Sequence, residues 1–247
     1  MTTTEPGGRP GSRTSPPVWL RAEPARARRK PPLTLDRIVG AAVTLLDADG
    51  IEGLTMRRLA QRLDVTATAL YWHVKTKDDV LDLAVDGVFG DVPVPEVTDD
   101  WRQDVRVLVR AWRATMLRHP WAPGLIGRPM LGPNVLARTE FLQAALVRGG
   151  CGGLRLAVAT RMLADYVIGA SLTEATWRQH ADPGARAAAR EHVAASADTY
   201  PTLHASGHLD DTRWDDDLLF EEGLDGILRA AARAGASDRR GRAGASG

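Results

Sequence analysis

From Leu33 onward the apolar positions of this chain fall on the face of a helix, and before it they follow no period. Leu35, Ile38, Val39, Ala42, Leu45 and Leu46 line one stripe, with Thr34 placed as its N-cap and Gly50 as its stop. A short helix is predicted from about Met56 to Leu63 behind Thr55, and another behind Thr66 to about His73. Thr76 opens a fourth, with Asp79 at the spacing of a capping box. Pro93 and Pro95 end this group.

A second group starts behind Thr98 with the stripe Trp101, Val105, Leu108, Val109, Trp112 and Met116, and ends at His119-Pro120. Residues 121–133, rich in Pro and Gly, read as an irregular linker. A helix is predicted at 134–148, then a glycine-flanked Cys151. Residues 154–178 are apolar on several faces, which predicts burial on several sides. Gly169, Ala170 and Ser171 would let a neighbouring helix approach closely. An Ala-rich helix at 184–196 and a ragged stretch at 197–211 follow. Thr212 and Asp215 frame a capping box for a last helix carrying Phe220, Leu224, Ile227, Leu228 and Ala231. No segment alternates with the period of a strand.

The expected fold is therefore all-α. A three-helix helix-turn-helix domain is placed at 33–93 and a helical regulatory and dimerisation domain at 94–236. A basic arm, 1–32, and a tail, 237–247, are too poor in apolar residues to be expected to fold. A homodimer is expected to form on the helices at 154–178 and 213–234.

Composition narrows the function classes. With 44% apolar and 26% charged residues, the chain of 247 residues resembles an ordinary soluble protein. The longest apolar stretch, Leu154 to Leu172, is interrupted by Arg155, Arg161 and Asp165, so no membrane span is expected. The polar, proline-rich start lacks the apolar core of a secretory signal, which points to the cytoplasm. One cysteine excludes an internal disulfide framework and a multi-cysteine zinc site. No Walker loop, nucleophile elbow or His-Glu-x-x-His run is present, so no catalytic residue, metal or cofactor is expected. His204 and His208 stand four apart without an obvious third ligand and read as a surface loop. The acids Asp215 to Asp217, Glu221 and Glu222 lie where they complement a helix dipole.

The net charge of +1 hides a gradient. Residues 1–32 carry +5, residues 33–90 carry −3, residues 91–236 carry −3 and the tail +2. Bulk attraction to nucleic acid therefore fails for the folded body, and position must decide. Two short helices joined by a tight turn form a helix-turn-helix, whose second helix enters the major groove. Leu54, Leu59, Ala60, Leu63, Val65 and Leu70 supply its internal face, while Arg57, Arg58 and Arg62 point away. His73, Lys75 and Lys77 follow the second helix, so cations bracket it. Rim cations suit phosphates, and the short groups Thr66, Ala67, Thr68 and Ala69 suit base edges. Tyr71 and Trp72 can meet backbone or thymine methyls. The same residues also fit an ordinary amphipathic pair with a solvated basic face.

The run Gly50-Ile-Glu-Gly-Leu-Thr-Met-Arg-Arg-Leu-Ala-Gln-Arg-Leu63, then Leu70-Tyr-Trp-His-Val-Lys-Thr-Lys77, resembles the TetR family of transcriptional regulators, and within it the tetracycline-repressor branch. The likeness is strong over about 34–90. It implies an all-α homodimer that represses transcription until a small molecule releases it from an operator in double-stranded DNA. By this resemblance Arg57 takes the place of a guanine-reading arginine. Thr55 or Met56, Tyr71, Trp72, His73 and Lys77 take backbone-contacting places. Ala67-Thr68 stands where the branch has Gln-Pro, which implies a different operator. Asp64 replaces a turn glycine.

The second domain departs further. Where the tetracycline repressor holds a magnesium–drug chelate, this chain aligns Leu125, Leu108 and Trp112. That argues against a metal and for an apolar or aromatic effector. The candidate lining residues are Leu108, Trp112, Met116, Leu125, Met130, Phe141, Met162, Tyr166 and Trp177. Two classes stay open: a DNA-binding repressor released by a small molecule, and an all-α enzyme or ligand carrier with an incidental helix-turn-helix pair.

Overall fold

The computed structural model describes residues 31–125, 131–179, 183–210 and 213–244. These residues hold helices and no strand. The helices are α1 (Leu35–Gly53), α2 (Met56–Leu63), α3 (Ala67–Tyr71), α4 (Lys77–Gly90), α5 (Trp101–Arg118), α6 (Pro133–Arg148), α7 (Gly153–Gln179), α8 (Pro183–Ala195), α9 (Pro201–Ser206) and α10 (Asp216–Gly244). A 3-10 turn, Pro123–Leu125, follows α5. The contact unit that holds the helices begins at Thr34.

The first four helices begin on threonine caps. Thr34, Thr55, Thr66 and Thr76 each accept a hydrogen bond from the backbone N–H three residues on, which satisfies a donor the first turn leaves unpaired. At α4 the Asp79 carboxylate reaches back to the N–H of Thr76, closing the capping box. Backbone N–H groups of Lys75 and Thr76 and the Thr76 hydroxyl hold the Asp79 carboxyl below its ordinary value. Gly50 takes φ 67°, a left-handed setting that breaks the last turn of α1 away from its body. α1 packs on α4 through Ile38, Ala42, Leu45 and Leu46.

Between α2 and α3 the chain reverses through Asp64, at φ 54° and ψ 47°. Val65 N–H donates to the Ala60 carbonyl and Asp64 N–H to that of Gln61, the pair of bonds of a Schellman turn. The left-handed residue expected of a turn glycine is thus borne by an aspartate, which tolerates it better than most side chains.

Several boundaries differ from the sequence reading. α3 stops at Tyr71, two residues short of His73, where the His73 and Val74 N–H groups both fold back on the Leu70 carbonyl. α5 is capped by Asp100, and Thr98 instead donates through N–H and hydroxyl to the buried Asp104 carboxylate. The ragged stretch holds α9, with Pro201 at its first position, where the missing N–H costs nothing. α10 starts behind Asp215, whose carboxylate accepts from Leu218 N–H; the expected cap Thr212 lies outside the described residues. α10 also runs to Gly244, past the limit expected at 236. Alanines and arginines, both good helix formers, outweigh Gly235 there.

α5, α6, α7 and α10 enclose the main core, with Leu108, Leu142, Leu146, Leu163, Leu224 and Leu228 fully buried. α5 and α10 run antiparallel and are joined along one seam. Arg106 pairs with Asp225 at 2.7 Å, Arg110 with Glu221 at 2.6 Å and Arg113 with Asp217 at 2.6 Å. Of the acids expected to serve the α10 dipole, Asp217 and Glu221 pair with arginines on α5, while Asp215 caps the helix.

Candidate functional site

The exposed side of the helix-turn-helix gathers most of the predicted DNA-facing residues. Thr55, Arg57, Thr66, Ala67, Thr68, Tyr71, Trp72 and His73 are all exposed, while Leu70 and Val74 anchor the inner face. The hydroxyls of Thr55 and Thr66 accept caps and keep a proton to donate outward. Trp72 is 79% exposed, a large apolar group left uncovered among the described residues.

Two predicted cations are engaged by the protein itself. Arg58 donates to Asp49 Oδ2 at 2.6 Å and to the Gly53 carbonyl at 2.7 Å, which ties α2 to the end of α1. Lys77 is half-buried and its Nζ donates to the Ile51 carbonyl at 2.8 Å. Both therefore place the recognition unit. Lys75 Nζ, in turn, donates to the Tyr71 carbonyl at the end of α3.

The nine residues predicted to line an effector site do not form one pocket. Leu108, Met116, Leu125 and Phe141 are core. Trp112 meets Phe89 edge-to-face at 5.2 Å, and its indole Nε1 is buried with no acceptor among the described residues. Met162 sits on the outer face of α7, exposed. Tyr166 stacks on Phe220 and donates to the carbonyls of Leu219 and Phe220, an approach that the missing side chain of Gly223 permits. Met130 lies outside the described residues. Helical spacing identified apolar positions but could not say which face of each opened on space.

Trp177 alone of the nine borders a cavity of about 430 Å³ between α7, α8, α9 and the start of α10. Thr173, Ala189, Ser206, His208, Leu209, Asp210, Trp214, Asp216 and Leu219 complete its wall. Sequence reasoning missed Trp214 and the loop beside it; a tryptophan seven residues past Gly207 was the available signal. Gly207 and Leu209 both have φ near 67–68°, and for leucine that setting is strained. The Trp214 indole donates to the Ser206 carbonyl at 2.9 Å and so fixes this wall. A second groove, lined by Arg113, Tyr166 and Glu174, shares Thr173, Asp216 and Leu219 with the cavity. Among the described residues no cluster of three or more metal-ligating side chains occurs, and no helix is long and apolar enough to cross a membrane.

The description "Bacterial regulatory proteins, tetR family" matches residues 38–84, and "Tetracyclin repressor-like, C-terminal domain" matches residues 93–230. The chain belongs to the TetR family. It is similar to an HTH-type transcriptional regulator of Saccharopolyspora erythraea, 44% identical over 94% of this chain and 97% of that one. Among solved structures it is similar to the TetR family protein ActR of Streptomyces coelicolor in complex with actinorhodin. That likeness has 31% identity, a TM-score of 0.75, and covers 83% of this chain and 99% of ActR. BioQ with its double-stranded DNA operator is 26% identical, with a TM-score of 0.58 over 81% of this chain and 99% of BioQ. As a TetR-family member the protein is a DNA-binding transcriptional regulator.

Proposed function

We propose that this TetR-family chain is a repressor which, as a homodimer, holds an operator and leaves it when an apolar or aromatic molecule binds. The observation that carries the DNA half is the bare surface of α3, with Trp72 the most exposed group after it and Arg57 exposed on α2. Arg57 reads a base edge. Thr55, Thr66, Tyr71, Trp72 and His73 meet the backbone, and Ala67 and Thr68 line the groove. Arg58 and Lys77 act by holding α2 and α4. The effector enters the cavity between Trp177 and Trp214, and no divalent metal takes part. That ActR forms a complex with actinorhodin supports a small-molecule effector.

The dimer forms on the outer faces of α7 and α10. Leu154, Val158, Met162 and Leu172 on α7, with Leu218 and Leu219 on α10, leave a broad apolar surface uncovered in one chain. Two helices from each copy close it as a four-helix interface. The protein acts in the cytoplasm and catalyses no reaction. A gel shift with the DNA upstream of its own gene tests the reading: a saturable, competable complex is expected. Binding no tighter than to random DNA would overturn it.

A further inference from the structure

The end of α1 carries three fastenings within five residues. Asp47 Oδ1 accepts from the Trp121 indole Nε1 at 2.7 Å and stands 2.8 Å from His119 Nδ1. An ionised carboxylate only accepts, so the His119 proton sits on Nδ1. Asp49 accepts from Arg58 of α2, and the Ile51 carbonyl accepts from Lys77, the first residue of α4. α3 is strung between α2 and α4, so the recognition helix is tied at both flanks to the end of α1, on either side of Gly50. That same end is tied through Asp47 to the chain just past α5.

The fastening at Asp47 is well made. Trp121 is 6% exposed and its ring is packed edge-to-face with His119, so both donors are fixed in place. It is also separate from the bonds between α4 and α6. Asp86 of α4 accepts from the N–H groups of Asn134 and Val135 at the start of α6. Arg138 of α6 adds a bond to the Gly90 carbonyl at 2.9 Å, and these bonds hold α4 without touching the end of α1 that bears Asp47. With Asp47 as well, the recognition unit is held at two points.

We propose that Asp47 is a positioning residue that sets the orientation of α2 and α3 on the body of the protein. In a dimer that orientation fixes the distance and the angle between two recognition helices. Half-sites on DNA lie about 34–36 Å apart for each helical turn, so one base pair changes the spacing by roughly 3.4 Å and the facing by roughly 35°. A rigid unit rejects that change, and a unit released at Asp47 absorbs it. Asp47 thus determines operator spacing, not base preference. The inference rests on the dimeric operator-binding reading above.

The test uses an operator selected by the full-length protein from random DNA, then lengthened or shortened by one base pair at its centre. Affinities are measured at one salt concentration. The parent is expected to lose at least about tenfold on either change, as a dimer on a fixed spacing does. Asp47→Ala should lose only about two- to threefold, with its ranking of single-base changes inside each half-site intact. Asp47→Asn keeps an acceptor oxygen and should behave as the parent. Trp121→Phe keeps the buried ring, removes one donor and should move toward the alanine variant. If Asp47→Ala fails to fold, Trp121→Phe decides. A full spacing penalty in both variants, or a changed base ranking, would overturn the proposal. A parent indifferent to spacing would overturn the dimeric reading, and this one with it.

Discussion

Arg113 and Glu174 meet inside the bundle, where Nη2 and Nε of the arginine donate to the same Oε2 at 2.6 and 3.1 Å. Both residues are nearly inaccessible, and the guanidinium also lies 4.5 Å above the Phe220 ring. Burial opposes the charge on Arg113, but its hydrogen bonds to Asp217 and Glu174 outweigh that and hold it protonated. Removing one partner should hurt more than removing both. Glu174→Ala is expected to cost about 2–4 kcal/mol, somewhat less than a wholly orphaned charge because Asp217 remains. The double change Arg113→Met with Glu174→Met should stay within about 1–2 kcal/mol of the parent. Urea unfolding at fixed protein concentration measures both, and a double variant no better than the single would contradict this.

Asp104 gives the protein an acid limit. Burial alone would raise its carboxyl, but the Thr98 hydroxyl and N–H and the Arg148 guanidinium hold it below its ordinary 3.8. A carboxyl lowered on folding contributes stability above its unfolded value and loses it as pH falls through the folded one. The melting temperature of the parent should therefore drop below about pH 4. Asp104→Asn should be less stable at neutral pH by about 1–3 kcal/mol and show a flatter acid limb. Equal slopes for the two proteins would assign the acid limb to other carboxyls.

The three cations of the recognition unit should separate by assay. Arg57→Ala is expected to cost about 1–3 kcal/mol of operator affinity and relax one base pair per half-site. Arg58→Ala and Lys77→Ala should weaken all sequences alike. Because Lys77 is spent on the Ile51 carbonyl, its loss should change the salt slope by less than the roughly 0.9 per subunit of a phosphate contact. A panel of operator variants titrated at several salt concentrations checks all three, and a full phosphate-sized change for Lys77 would put it on DNA.

The turn between α2 and α3 should welcome glycine. Asp64→Gly removes the side chain from a left-handed site and is expected to be neutral or stabilising by up to about 1 kcal/mol. Asp64→Val should destabilise by about 1–2 kcal/mol, since a branched side chain fits that conformation badly. A loss of melting temperature on Asp64→Gly would show that the carboxylate matters more than the backbone.

Short-range signals were readable from the residues alone. A threonine and the N–H three positions on are neighbours in any helix that starts there, so Thr34, Thr55, Thr66 and Thr76 announced four helices. The bare α3 followed from those boundaries. Long-range geometry was not readable. Nothing local marks Arg106, Arg110 and Arg113 as partners of acids more than a hundred residues away. The apolar positions of α5 and α7 likewise did not say that Leu108 and Met116 would meet side chains, whereas Trp177 would meet open space. Arg58 and Lys77 carried the right charge for DNA, and only the fold revealed the carboxylate and the carbonyl that occupy them.

The seam of Arg106, Arg110 and Arg113 against Asp225, Glu221 and Asp217 works like a rack with three teeth. Shifting α10 along α5 by a single residue brings to each arginine a side chain that points about 100° away and would part all three pairs together. Intermediate settings therefore have no partners to offer, and the next meshed position lies a full helical turn away, about 5.4 Å. The two helices can tilt but not creep. If α10 lies in the subunit interface, a push delivered to α5 arrives at the second subunit undiminished by slip.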